Sequence, residues 1–557
     1  MPINKILDDN YMDLLVENSL GIAFESPENT TWINNRFSVA HIPVARFNMC
    51  LLGEYPYHIF PTLYTLDSQI SLIRSSVTEV RNNPVFDLNG QGVLIGFLDT
   101  GIDYCHEVFQ NPDGSTRLFS IWDQTVMDGE KPEGFTFGAE YNKTMIDQAL
   151  QSSSPLSVVP SEDEVGHGTM MAGIAAGSIK EEHYFSGVAP RAELIMVKLA
   201  PAKKYNRKIW GITEDVDCYQ ETNILLGIEY ILSVAARLNR PLVLCIGMGS
   251  SQGAHEGHSM FATWLNYLCT IPRIGICVSA GNEGNKGRHY SGTFNPERNT
   301  DTFELRVGEA DKNFFLEIWQ NSPCRVMVEF TSPTGEIVYS IFPRFDECRE
   351  YSFIFCPTRV FINNIILEEE TGEQLILVRF EDAFSGIWTI RVTAIDDIFC
   401  EFNAWLPSGN IISEETYFLR PNPYTTITSP GNSRNPLTVG AYNQLSGSIL
   451  ISSSRGYTPS NLVKPDIVAP GYALPCPVRN QAFGVASGTG AAAAHTAGII
   501  ALLMEWAVEK RNYMTITGRD INRLLIRGAI RNSDLLYPNP IWGYGKINIM
   551  EMFSRLI

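Results

Sequence analysis

Between Phe483 and Trp506 the chain reads FGVASGTGAAAAHTAGIIALLMEW. A glycine-rich turn, Gly488-Thr489-Gly490, opens onto an alanine-rich run that becomes fully apolar from Ile499. A run with no polar stripe predicts a central helix buried on all sides and entered through a tight loop. The free N–H groups and the positive dipole end at the start of such a helix favour developing negative charge. That is a place to put a nucleophile.

The rest of the chain is large enough to supply the covering layers. Its 557 residues and 62.2 kDa suggest two to four domains. The composition, 44% apolar and 18% charged, is that of a soluble globular protein. A net charge of -19 argues against nucleic acid or an anionic membrane as the main partner. Eleven cysteines, an odd number without CxxC or Cys/His metal spacing, read as reduced thiols of intracellular origin. The opening MPINKILDDNYMDLL lacks a basic stretch followed by an apolar core, and no run approaches the length of a membrane span. The expectation is therefore no signal peptide and no membrane span.

Residues 1–66 read as a small α+β unit, too small for a rich core and more stable packed on something else. A helical segment is expected over Asp67 to Arg81. From the strand leading into Asp99, apolar strands and helices alternate: helix after His167, strand Glu193 to Lys198, helix Asn223 to Asn239, strand Pro241 to Ile246, helix His258 to Thr270, strand Gly275 to Val278. Continuously apolar strands separated by helices predict an α/β fold, a parallel sheet with helices on both faces. The pattern changes over 300–420. Eight short runs rich in β-branched and aromatic residues, divided by turn signals, predict an antiparallel sandwich of jelly-roll type inserted into the α/β domain. The predicted organisation is 1–66, 67–299, the insertion at 300–420, and 421–557.

Four separated segments carry chemistry. Val93 to Asp103, VLIGFLDTGID, is a buried strand delivering Asp99 to its C-terminal end, where α/β sheets place their sites. Gly166-His-Gly-Thr-Met-Met-Ala-Gly173 presents His167, and Val278-Ser-Ala-Gly-Asn-Glu-Gly284 presents Asn282. With the Gly490 segment these resemble, in order, the aspartate, histidine, oxyanion-hole and serine motifs of subtilisin-like serine proteases. Further matches are Gly187-Val-Ala-Pro190, Ser452 to Gly456, Lys464 to Gly471 and Trp542 to Asn548. The resemblance covers about 67–557 apart from the sandwich, and implies a subtilisin-like fold with a short N-terminal prodomain. It assigns Asp99 to orient His167, His167 to act as base, and Asn282 to donate to an oxyanion.

Where the family has its catalytic serine, this chain has Gly490. Met170 replaces a second, non-catalytic histidine, and Ala494 replaces the proline of the helix's first turn. His495 reads as structural. Thr489 is expected to point away from His167, and Ser487 lies three residues upstream, so neither replaces the missing hydroxyl. Asp163 and Glu164, near His167 but without a recognisable calcium loop, read as solvated surface carboxylates. No cofactor and no metal are expected.

Within the family, the combination of prodomain, catalytic-type domain and jelly-roll insert is similar to the Csp germination proteases of clostridial spores, and the missing serine to their CspC-like pseudoprotease branch. The resemblance implies regulation of spore germination through an active Csp-type protease or other germination proteins, with a small-molecule germinant such as a bile salt as a further partner. It also implies synthesis in the cytoplasm and residence in the spore, in the cortex or coat region. Two other readings stay open: a structural or assembly partner for germination proteins, and a peptidase with a non-standard nucleophile. Without the serine, the prodomain is expected to stay attached, the uncut junction lying near Tyr64 to Ser68.

Overall fold

The computed structural model describes residues 5–18, 29–46, 48, 50–66, 75–83, 86–345 and 347–556. Its centre is an eight-stranded sheet in the order Ile467–Pro470, Leu437–Tyr442, Ile274–Ser279, Leu242–Ile246, Leu94–Asp99, Glu193–Lys198, Leu118–Asp123, Ala139–Asn142. Every neighbouring pair is parallel except the last, an antiparallel edge. The strand Leu94–Asp99 shows why these runs are apolar throughout: Ile95 and Phe97 join the core under helices His167–Ala176 and Thr489–Met504, while Leu94 and Leu98 join the core under helices Glu221–Leu238 and Met260–Leu268. Side chains alternate, and both faces are covered. The expected subtilisin-like α/β architecture is what the structure has.

All 16 residues of the helix Thr489–Met504 are buried, as its lack of a polar stripe requires. The stretch Thr489–Glu509 is long and apolar enough to cross a membrane, but its most apolar window is 94% buried inside the protein, which makes it a core helix. Gly498 lets it lie against its neighbour: a Cβ there would come within 2.4 Å of the Val188 Cβ and 2.7 Å of the Ala175 carbonyl oxygen.

Residues 289–418 form two antiparallel sheets of six and five strands. Each of the eight runs singled out in the sequence carries a strand; His289–Phe294, Cys348–Ser352 and Tyr417–Phe418 add three more. Cys348–Ser352 escapes notice because its CREYS sequence carries no β-branched residue, and Tyr417–Phe418 because it is only two residues long. A ring stack joins this sandwich to the α/β body, with His255 from the body and His289 and Trp405 from the sandwich. His255 and His289 flank the indole of Trp405, with ring centroids 4.1 and 5.0 Å away. Burial pushes both from 6.5 down to about 4. In the unfolded chain they take up protons near 6.5, so their contribution to stability is present above that pH and is lost as pH falls from 6.5 to about 4. In NMR of histidine-labelled protein, these two resonances are expected to hold still from pH 8 down to about 5. Titration near 6.5 would disprove their burial in the neutral form.

The N-terminal unit is a three-stranded sheet in the order Tyr11–Glu17, Phe37–Pro43, Thr30–Trp32. Leu15, Phe37 and Val39 enter the core under the helices Glu221–Leu238 and Met260–Leu268, whereas Met12, Leu14 and Ile42 enter the core of the sandwich. The sheet is thus a wedge with both faces covered. Buried Asp13 fastens it, accepting from His41 Nδ1 at 2.7 Å, Lys203 Nζ at 2.8 Å and Gln220 Nε2 at 2.7 Å. Of the helix expected over Asp67 to Arg81 the described residues show Val77–Asn82, which begins after Ser76 in the left-handed region at φ 59°; residues 67–74 lie outside the described residues.

The thiols depart from expectation. Cys50–Cys348 and Cys324–Cys400 are disulfides, with Cα separations of 5.3 and 6.2 Å, inside the range such bonds span. The first joins the N-terminal unit to the sandwich across 298 residues of sequence, a pairing that only the tertiary fold creates.

Candidate functional site

The C-terminal ends of the central strands meet the N-termini of the two helices on one face. Asp99 ends the strand Leu94–Asp99, and His167 begins the helix His167–Ala176. The His167 Nδ1 lies 2.8 and 2.9 Å from the two carboxylate oxygens of Asp99, and both residues are buried. The Thr100 N–H donates to Asp99 Oδ1 at 2.8 Å, fixing the carboxylate. The two segments meet closely because of Gly168, where a Cβ would come within 2.1 Å of the Gly101 carbonyl oxygen.

Asp163 is the residue that the sequence reading misplaced. Far from being solvated, it is fully buried and caps the histidine helix. Its Oδ1 accepts from Gly166 N at 2.7 Å and Thr100 Oγ1 at 2.6 Å; its Oδ2 accepts from Thr169 N at 2.9 Å and Thr169 Oγ1 at 2.7 Å. These bonds satisfy N–H groups that a helix start leaves unpaired and tie both catalytic-type segments to one carboxylate. Glu164 matches its reading, an exposed carboxylate paired with Lys198 at 2.8 Å. The spacing Asp163-x-x-Gly166 before a helix was the available signal for a cap.

Asn282 accepts through Oδ1 from the Thr489 N–H at 3.1 Å and from the Thr489 hydroxyl at 3.3 Å. The Gly281 N–H donates to the same hydroxyl at 3.1 Å. Thr489 Oγ1 is therefore engaged with Gly281 and Asn282, and Ser487 lies exposed outside the helix. Gly490 occupies the first turn of the helix Thr489–Met504, in a backbone conformation open to any L residue. The helix runs unbroken through Ala494. His495 is buried within it, 2.6 Å from Ser75 Oγ, and burial pushes its pKa to about 3, in keeping with a structural role. The structure thus assembles a carboxylate, an imidazole and an amide, and at Gly490 no hydroxyl.

A further feature fills the cleft. The strand Leu63–Leu66 runs antiparallel between Tyr219–Gln220 and Met248–Gly249. Gln252 Oε1 accepts the Leu63 N–H at 2.7 Å. Tyr219, paired with Tyr64 of this strand, has its phenol raised by burial and then by the charges of Asp99, Asp217 and Asp163. The segment near Tyr64 to Ser68 is therefore seen as far as Leu66, and its remainder lies outside the described residues. Two-residue partner strands such as Tyr219–Gln220 leave no periodicity to read.

The sequence profile of the subtilase family matches residues 90–311 and 408–545, more than half of the chain. A solved structure of the Clostridium perfringens CspB protease superposes with a TM-score of 0.78 at 31% identity, covering 87% of this chain and 96% of that one. Subtilisin-like protease SBT2.3 of Arabidopsis thaliana is 32% identical over 172 residues, 28% of this chain and 20% of that protein. C5a peptidase of Streptococcus pyogenes is 22% identical over 447 residues, 75% of this chain and 35% of its own length. The chain therefore spans well under half of these two curated relatives.

Proposed function

From the premise that the chain belongs to the subtilase family, we propose that it is a pseudoprotease, working by contact in place of cutting. The observation that carries this reading is Gly490, at the head of the buried helix, in a site whose Asp99 and His167 are otherwise paired at 2.8 Å. An acyl-enzyme needs an oxygen or sulfur nucleophile, and glycine supplies neither. The strand Leu63–Leu66, hydrogen-bonded where a substrate strand would lie, supports the reading, because an uncut N-terminal unit keeps the cleft filled. Likeness to the Clostridium perfringens CspB protease supports carrying over to this chain the role in spore germination that its resemblance to the Csp proteins implies. There the chain regulates the activation of a cortex hydrolase, by binding an active Csp-type protease, a germinant, or both.

The test is the intact mass of protein purified from a protease-deficient host. The full 557-residue chain is expected, with its N-terminal unit in place. A fragment ending near Leu66, freed on reduction of the Cys50–Cys348 disulfide and abolished by His167→Ala, would establish a working peptidase and end the proposal.

A further inference from the structure

Behind the strand Leu63–Leu66, where the three parts of the molecule meet, lies a cavity of about 50 Å³. His58 reaches it from the N-terminal unit, Glu221, Gln252 and Asn432 from the α/β body, and Glu368 and Glu370 from the sandwich; no lysine or arginine among the described residues lines it. Several of these groups are buried with hydrogen-bonding capacity unused. Glu368 is 3% exposed, and its Oε2 accepts from Glu370 N, Thr371 N and Thr371 Oγ1 at 2.9 to 3.1 Å. Its Oε1 faces His58 Nδ1 at 3.7 Å, an ion-pair distance too long for a hydrogen bond, and neither atom has a hydrogen-bond partner among the described residues, nor have Asn432 Oδ1 and Gln252 Nε2. Buried polar atoms of this kind destabilise a fold unless something satisfies them.

Oxygen acceptors and carboxylates dominate the lining, so the fitting occupant is a cation. Among the described residues, three acidic or histidine ligand atoms lie within 4.8 Å of one another only at Glu107, Glu182 and His183, elsewhere in the molecule. The carboxylates of the cavity are thus too spread to close on one metal ion, whose oxygen ligands must come within about 2.0–2.6 Å. An ammonium group has three donors at hydrogen-bond reach and a carbon stem to span the remainder. We propose that this cavity binds a small molecule carrying a protonated primary amine, its ammonium donating to Glu368 Oε1 and Asn432 Oδ1 while Glu221 and Glu370 surround it with negative charge. By the same volume measure a water needs about 10–15 Å³, so the ligand has about four non-hydrogen atoms. It would touch all three parts at once, one residue from the strand in the cleft. The site stands whether or not the chain cuts peptides.

Charge supports the assignment. Burial raises Glu221 to about 7; burial, then Glu368 and Glu221, raise Glu370 to about 8. Glu256, His255 and His258 also line the cavity, with Glu369 beside His58, Glu317 behind Tyr57 and Glu373 near Glu368; Glu17 and Arg36 also act on Glu370, the guanidinium favouring its ionised form. A bound ammonium favours ionised carboxylates, so affinity increases as pH rises from 6 to 8.

Calorimetric titration of the full chain with ethylammonium chloride at pH 8 tests this, with ethanol, sodium chloride and calcium chloride as parallel titrants. Expected are saturable one-site binding of ethylammonium alone, weakening at pH 6, and a loss of about tenfold or more in both Glu368→Gln and Glu370→Gln. Glu370 holds no turn, so its variant carries the test if Glu368→Gln misfolds. Absence of saturable ethylammonium binding, undiminished affinity in Glu370→Gln, or calcium binding that Glu370→Gln abolishes would each overturn the proposal.

Discussion

A Gly490→Ser variant is expected to react with a fluorophosphonate probe and to cut its own chain just beyond Leu66, at least about 10⁴-fold faster than the parent. The magnitude follows from subtilisin, where loss of the nucleophile alone costs about 2 × 10⁶ in kcat. The residual catalysis of a site without it comes from binding and oxyanion stabilisation. Nothing in the backbone opposes the change, because Gly490 is helical, and Asp99 already orients His167 at 2.8 Å. The strand Leu63–Leu66 delivers a peptide to the same place. Gly490→Ser combined with His167→Ala should be inert. If Gly490→Ser folds with unchanged thermal stability yet neither labels nor cuts, the surroundings of the nucleophile have diverged; Ala494→Pro in that background would then be the informative second change.

The second large effect lies away from the cleft. Asp13→Asn is expected to destabilise the protein by about 3–5 kcal/mol in chemical denaturation, because it leaves the ammonium of Lys203, 4% exposed, without its carboxylate. Burial works against ionising Asp13, but Lys203 and His41 outweigh it and hold the carboxyl below its ordinary 3.8. The sign follows: this stabilisation is present above 3.8 and disappears as pH falls through the lower value of the folded state. Loss should appear first in the N-terminal sheet, as faster hydrogen exchange of Tyr11–Glu17. Slow exchange there, with stability within 1 kcal/mol of the parent, would show that Asp13 does not fasten the wedge.

Contiguous features were legible in the sequence, and features assembled from distant residues were not. Asp99, His167, Asn282 and Gly490 each sit in a short glycine-bearing motif at the end of a strand or the start of a helix, where local spacing fixes direction, and the structure brings them to one end of the central sheet. The continuous apolarity of Leu94–Asp99 announced a strand covered on both faces. Asp163 was read as surface because one acidic residue among Glu162 and Glu164 carries no burial signal of its own; only the closure of the Thr100 and Thr169 hydroxyls around it removes it from water. The strand Leu63–Leu66 pairs with two-residue segments, and the disulfides join positions 298 and 76 residues apart. Neither kind of contact leaves a local pattern.

The Cys50–Cys348 bond separates two events that are usually one. In a zymogen, scission of the backbone and departure of the leading fragment follow each other. Here a nick beyond Leu66 would yield a two-chain particle whose halves stay stitched together, so activation by shedding would call for a reductant as well as a blade.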